Sequence, residues 1–210
     1  GAEHTASLHQ AGTISFMFVT FEGVDGAGKS TLISAIAERL RAEGQSVLIA
    51  REPGDGEFGL AIREMLLERH VCPEAELFLF LADRSEHVRN TVAPALSRGT
   101  TVLCDRYGDS TVVYQGYARG FDIELLKRLN HLATQGLVPD RTFLLDVDPA
   151  IAAQRGTKGD RLDRESSNFH QLVRNGFLSL AREEPHRFVL LDASKPPDEL
   201  LHEALNAWPA

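Results

Sequence analysis

Between Gly23 and Thr31 the chain reads Gly-Val-Asp-Gly-Ala-Gly-Lys-Ser-Thr, three glycines followed by a lysine and two hydroxyls. Gly23 to Ser30 fits G-x-x-x-x-G-K-[ST], in which backbone N–H groups of a glycine-rich turn close around phosphate oxygens. In that geometry Val24, Asp25, Gly26, Ala27 and Gly28 present main-chain donors, Lys29 reaches the outer phosphates, and Ser30 ligates Mg²⁺. The chemistry these residue types serve is the binding of a nucleoside triphosphate. A second cationic candidate is Arg106, which follows Asp105 at the end of an apolar run; its planar fork suits a phosphate.

The elements needed to hold such a turn are a strand before it and a helix after it. Phe16 to Phe21 is short, apolar and β-prone, and from Lys29 onward Ile33, Ile36, Ala37 and Leu40 recur at helical spacing. Four more apolar runs, at 47–50, 101–104, 142–145 and 188–191, alternate with helix-length segments, which predicts a five-stranded parallel sheet covered by helices on both faces. In such a sheet the residues after each strand share one edge, where ligands bind. Those residues are Arg51-Glu52-Pro53-Gly54, Asp105-Arg106-Tyr107, Asp146 with Asp148, and the segment from Asp192 to Pro197. Arg155 to Glu165 is dense in charge and separates two helical patterns, as a flap over phosphates would.

Length and charge narrow the function further. The 210 residues suit one α/β domain, taken as 14–210, and Gly1 to Thr13 read as a disordered extension or an expression remnant. A net charge of -8 argues against broad nucleic-acid or anionic-membrane binding, and no apolar run is long enough to span a bilayer. Cys72 and Cys104 lack metal-ligand spacing, so zinc is not expected and a reducing cytoplasmic setting is. A GTP-dependent switch would match "DRYG" at Asp105, yet none of the asparagines is followed by lysine as guanine recognition through N-K-x-D requires.

Taken together, "FEGVDGAGKST", "REPG" at Arg51, "FLADRSEH" at Phe80, "DRYGDSTVVYQGYARG" at Asp105 and "DRLDRE" at Asp160 resemble the thymidylate kinases in content and order. The resemblance implies a P-loop nucleoside-monophosphate-kinase fold with a lid at about 153–166, ATP and dTMP as substrates, Mg²⁺, and a homodimer to which "LLKRLNHLA" could contribute. It implies that Arg106 and Arg63 grip the acceptor phosphate, that Phe80 stacks on thymine, and that Arg84 donates to a base carbonyl. Thr111 and Gln115 would face the polar edge of thymine, Tyr114 would pack under the sugar, and Glu52 would lie near phosphoryl transfer. Asp105 resembles a residue orienting Arg106 or Mg²⁺-bound water, a structural cap being the other reading. Asp25 would meet the acceptor's 3′-hydroxyl region or a lid arginine. Gly26 occupies a position where some members carry arginine; lid arginines then compensate, Arg161 first, with Arg155 and Arg164 behind it or one of them against adenine. From pattern alone Arg63 and Arg84 read as solvated helical arginines and Phe80 as core, and the loop from Ala193 is the expected neighbour of adenine.

Overall fold

A computed structural model describes residues 16–155, 162 and 165–208. The expected N-terminal extension, and Arg161 and Arg164 of the expected lid, lie outside the described residues. Strands β1 (Phe18–Glu22), β2 (Val47–Arg51), β3 (Thr101–Asp105), β4 (Arg141–Asp146) and β5 (Phe188–Asp192) pair in parallel in the order β2-β3-β1-β4-β5. β1 is central and buried at every position, its polar Thr20 and Glu22 included. Its two neighbours come from opposite sides of the crossover scheme, so the chain leaving β1 emerges where a crevice must open.

Helix α1 (Lys29–Ala42) follows the glycine-rich turn directly and buries Leu32, Ile33, Ile36, Ala37 and Leu40. α2 (Gly56–Glu68) is capped by Asp55, whose side chain accepts from the Gly56 N–H, and α3 (Pro73–His87) starts on a proline, which needs no partner there. α3 widens into a π-helical turn, Val88–Val92, before α4 (Ala93–Ser97). Pro94 lies just beyond that turn; without an N–H, and with a ring that crowds the carbonyl four residues back, it disrupts regular α-helix there. α5 (Gly108–Thr111) opens into a second π-helical segment, Val112–Ala118, followed by α6 (Ile123–Thr134). α7 (Pro149–Arg155), α8 (Ser167–Glu183) and α9 (Pro197–Asn206) complete the chain.

One face of the sheet packs the larger core, where Val19, Phe21 and Phe143 meet Ile36, Val113, Phe177 and Leu180. On the other face Phe18, Val102 and Cys104 pack against Val88, Val92 and Tyr107, so the first π-helical turn seals the second core. The five predicted strands and both helices flanking the charge-dense segment occur as expected. On α2, Gly59, Ile62 and Leu66 are buried, whereas Leu60 faces solvent.

Candidate active site

The C-terminal ends of the strands surround a cleft of about 1530 Å³. That exceeds the usual space for one small ligand, as a site holding two nucleotides must. Its wall runs from Val24 to Leu32, through Glu52, Arg63, Phe80, Arg84, Arg106 and Thr111 to Gln115, and ends at Arg155 and the 193–198 loop. Gly23 does not line it; a Cβ there would meet the Leu145 carbonyl oxygen at 2.5 Å, so this glycine lets the turn leave β1 close against β4.

At the triphosphate end, Lys29 is buried and its ammonium donates to the carbonyls of Gly23 and Val24 at 3.3 and 3.1 Å. Burial, and then the nearby Arg106 guanidinium, lower its pKa from the ordinary lysine value. The Ser30 hydroxyl donates to Asp105 at 3.2 Å, which brings the two expected metal-side residues together. Both offer oxygen, the donor a hard cation such as Mg²⁺ prefers, and Mg²⁺ keeps several waters and substrate oxygens, so two side chains suit it. Among the described residues no cluster of three or more histidine, cysteine or carboxylate groups forms a richer metal cage. Arg155 donates to the Ala193 carbonyl at 2.7 Å, next to the loop expected to meet adenine.

Across the cleft, Arg106 holds the centre. Its backbone has φ of 68°, an uncommon conformation for a residue with a side chain, kept by the N–H bond to the Phe21 carbonyl at 3.0 Å. The guanidinium donates to Asp25 at 2.7 Å and to the Ser110 hydroxyl at 3.1 Å, and lies 5.2 Å from the centre of the Tyr114 ring. Thus Asp25, in the glycine-rich turn, joins the two expected anion grips. Beneath the same turn sits Glu22, fully buried, which accepts from the Tyr107 N–H at 2.8 Å and from Ser110 at 2.6 Å. Burial, and then the carboxylate of Asp109, push its pKa up to about 7.

The base end is built around Arg84, which is 1% exposed and not the solvated arginine its helical position suggested. The physical reason is pairing: Nε donates to Glu52 at 2.7 Å, Nη1 to Thr111 and Asn130 at 2.7 Å each, and Nη2 to the Tyr107 carbonyl at 3.0 Å. Glu52 therefore braces Arg84 from below and also accepts from His87 Nδ1 at 2.8 Å. Phe80 is half-buried on the cleft wall and not in the core. Arg63 donates to the Pro53 carbonyl at 2.9 Å and lines the cleft, again unlike a purely solvated arginine. Gln115 donates to Glu76 at 2.9 Å.

All the sequence-derived site residues among those described, apart from Gly23, line this one cleft. Residues missed are Ser110, which lines the cleft beside Arg106, and Glu22, Asn130, Glu76 and His87, which hold the site residues from behind. Glu22 left no distinguishing signal, because Asp105, Asp146 and Asp192 also end strands, and the others lie on helices whose pattern gave none.

Comparison with known proteins bears on the chemistry. A family profile described as thymidylate kinase matches residues 21–204. A thymidylate kinase of Desulfovibrio desulfuricans is 46% identical, with 91% of this chain and 94% of that protein aligned. One of Synechococcus sp. is 48% identical over 88% of this chain and 91% of its own. The crystal structure of thymidylate kinase from Ehrlichia chaffeensis matches with a TM-score of 0.77 at 33% identity, covering 92% of this chain and 98% of that one. With a phosphate-binding turn facing a buried arginine cluster on this frame, the chain belongs to the thymidylate kinase family, whose members are nucleoside-monophosphate kinases.

Proposed function

We infer that the chain transfers the γ-phosphoryl group of ATP to dTMP, giving ADP and dTDP, with the cleft residues divided into donor, acceptor and base-reading sets. The observation that carries this reading is the 2.7 Å contact between Arg106 and Asp25, which sets an arginine against the phosphate cradle across the cleft. The turn from Gly23 to Thr31 and Lys29 hold the triphosphate. Arg106 and Arg63 hold the acceptor phosphate, whose attacking oxygen is already anionic and needs no strong base. Ser30 and Asp105 would hold Mg²⁺, which supplies charge neutralisation at the phosphate oxygens. Phe80 offers the apolar face for thymine, Arg84 a donor to a carbonyl, Thr111 and Gln115 the polar edge, and Tyr114 the floor under the sugar. Glu52 acts by fixing Arg84.

Positioning is the main catalytic contribution: two anions that repel in water are held in line at fixed separation. The segment 153–166 is read as the lid of a single domain spanning 14–210, with Arg161 facing the charge that develops on the transferred oxygens and Arg155 close to the adenine side. The apolar side chains exposed on α2, α3 and α6 support a homodimer. No helix among the described residues is long and apolar enough to cross a membrane, and nucleotide substrates with two free thiols support a cytoplasmic setting.

ADP release measured with dTMP, dUMP, dCMP, UMP and thymidine tests the assignment. dTMP should be preferred, dUMP used at about 10- to 200-fold lower kcat/KM for want of one methyl contact, and thymidine not used. Lys29→Ala and Arg161→Ala should each lower kcat by on the order of 100-fold or more with dTMP affinity little changed. Tight ATP binding without acceptor-stimulated ADP release would mean a nucleotide-dependent binding module instead, and a preference for another acceptor would reassign the substrate.

A further inference from the structure

Gln115 lines the cleft, yet its amide is committed on one side. Nε2 donates to Glu76 Oε1 at 2.9 Å, and that carboxylate is itself gripped by Arg119, Nε to Oε1 at 2.7 Å and Nη2 to Oε2 at 3.1 Å. Glu76 is 1% exposed, so water does not compete for it. Arg119 is fixed in turn by Glu165 at 2.9 Å and by the Phe169 ring, whose centre lies 5.0 Å from the guanidinium carbon. A carboxylate held in an arginine fork has only acceptors to offer. The amide atom facing it must therefore be nitrogen, because turning the amide over would set oxygen against oxygen in a buried site. The Gln115 oxygen accepts no hydrogen bond among the described residues and is the acceptor left for a ligand.

We propose that Glu76 is a specificity-determining positioning residue: by locking the Gln115 amide with its oxygen toward the ligand, it makes the base pocket accept a ring N–H and reject a ring nitrogen lone pair. The ligand class is a pyrimidine with N3–H flanked by carbonyls, such as thymine or uracil; cytosine presents a lone pair at N3 and opposes the oxygen. This rests on the reading that Gln115 meets the base. Arg84 adds the same polarity from the other side: Glu52, Thr111, Asn130 and the Tyr107 carbonyl take four of its five N–H groups, so what remains for a base is a donor, suited to a carbonyl.

The test is the ratio of kcat/KM for dTMP over dCMP. In Glu76→Gln the partner gains donors, the Gln115 amide can turn over, and the ratio should fall about 10- to 100-fold. Glu76→Asp keeps an acceptor-only partner and should hold the ratio near wild type even where both rates drop. Gln115→Met should lower the ratio by itself, and adding Glu76→Gln to it should change the ratio no further. If thermal melts show Glu76→Gln unfolded, Arg119→Met reads the same lock, since a carboxylate without that fork is no longer held square against the amide. A parallel loss for both substrates in Glu76→Gln, with Gln115→Met lowering the ratio, would overturn the role of Glu76 and leave the base-reading assignment standing. An unchanged ratio in Gln115→Met would instead remove Gln115 from the base and this proposal with it.

Discussion

Asp83 shows how a site residue's support can titrate. Its Oδ1 accepts from the Gly54 N–H at 3.2 Å while Oδ2 is buried and unpaired among the described residues. Burial, and then the Glu52 carboxylate, push its pKa up to about 7. The native state therefore keeps this proton through a range in which the unfolded chain, with an ordinary carboxyl near 4, has lost it. Native protein binds more protons than unfolded protein between those values, so stability from this group falls as pH rises from about 4 to 7 and is then level. Glu22, also raised to about 7, slopes the same way, so wild type must be compared with a variant. Asp83→Asn carries no such proton: its Tm relative to wild type should rise on the order of a few degrees between pH 5 and pH 8. A Tm difference that does not change with pH would show that Asp83 is ionised throughout. Nothing in the sequence flagged this. Asp83 and Arg84 are adjacent on a helix, and periodicity alone gives no hint that a carboxyl and a guanidinium both point inward; only the arrival of Glu52 and Gly54 from β2 makes burial affordable.

At the scale of elements, the strands and the turn after β1 were legible because each depends on local chemistry: short apolar runs, then, after the first, glycines before a helix. The two π-helical segments were not, since Thr111 and Gln115 keep the same four-residue spacing in either helix type and the widening answers to tertiary packing. The contact between the glycine-rich turn and α7 was equally invisible. Gly26 has φ of +80°, and a Cβ there would stand 2.2 Å from the Ala152 carbonyl oxygen. Backbone meets backbone, so neither can yield cheaply. This explains in physical terms why the turn carries no side chain at position 26: any residue larger than glycine must push α7, which leads into the segment 153–166. Gly26→Ala should thus raise the KM for ATP by about 10-fold or more, from backbone strain of 1–3 kcal/mol plus the clash, and leave dTMP binding in titration calorimetry nearly unchanged. Equal weakening of both nucleotides would mean that the turn and α7 move as one with the acceptor side.

Over the whole molecule, the parallel sheet was predictable from strand–helix alternation, but its order β2-β3-β1-β4-β5 was not written in any one segment. It follows from crossovers that place β1 between two strands reached later, and this puts Asp105 at the end of β3, and Arg106 just after it, beside Ser30 and Asp25. Assembly was the least legible level, because a helix covering a sheet and a helix covering a partner share the same periodicity. Exposure supports the proposed dimer on one layer of helices. α3 packs between α2 and α6, and this layer leaves Phe58 and Leu60, Phe78, and Leu125 and Leu132 toward solvent, with Phe78 at 62% and Leu132 at 75% exposed. Large apolar side chains grouped on adjoining helices mark an association surface more than isolated ones do. α3 also carries Glu76, Phe80 and Arg84, so a partner seated on its outer side would stiffen the base pocket on its inner side. Phe78→Glu puts a charge in the middle of that layer without touching the cleft, and sedimentation should show a dimer for wild type and a monomer for the variant. The monomer should also bind dTMP more weakly while its triphosphate affinity stays the same, because the cradle sits on β1 and α1, across the sheet edge from α3. A variant that remains dimeric would place the interface on another face.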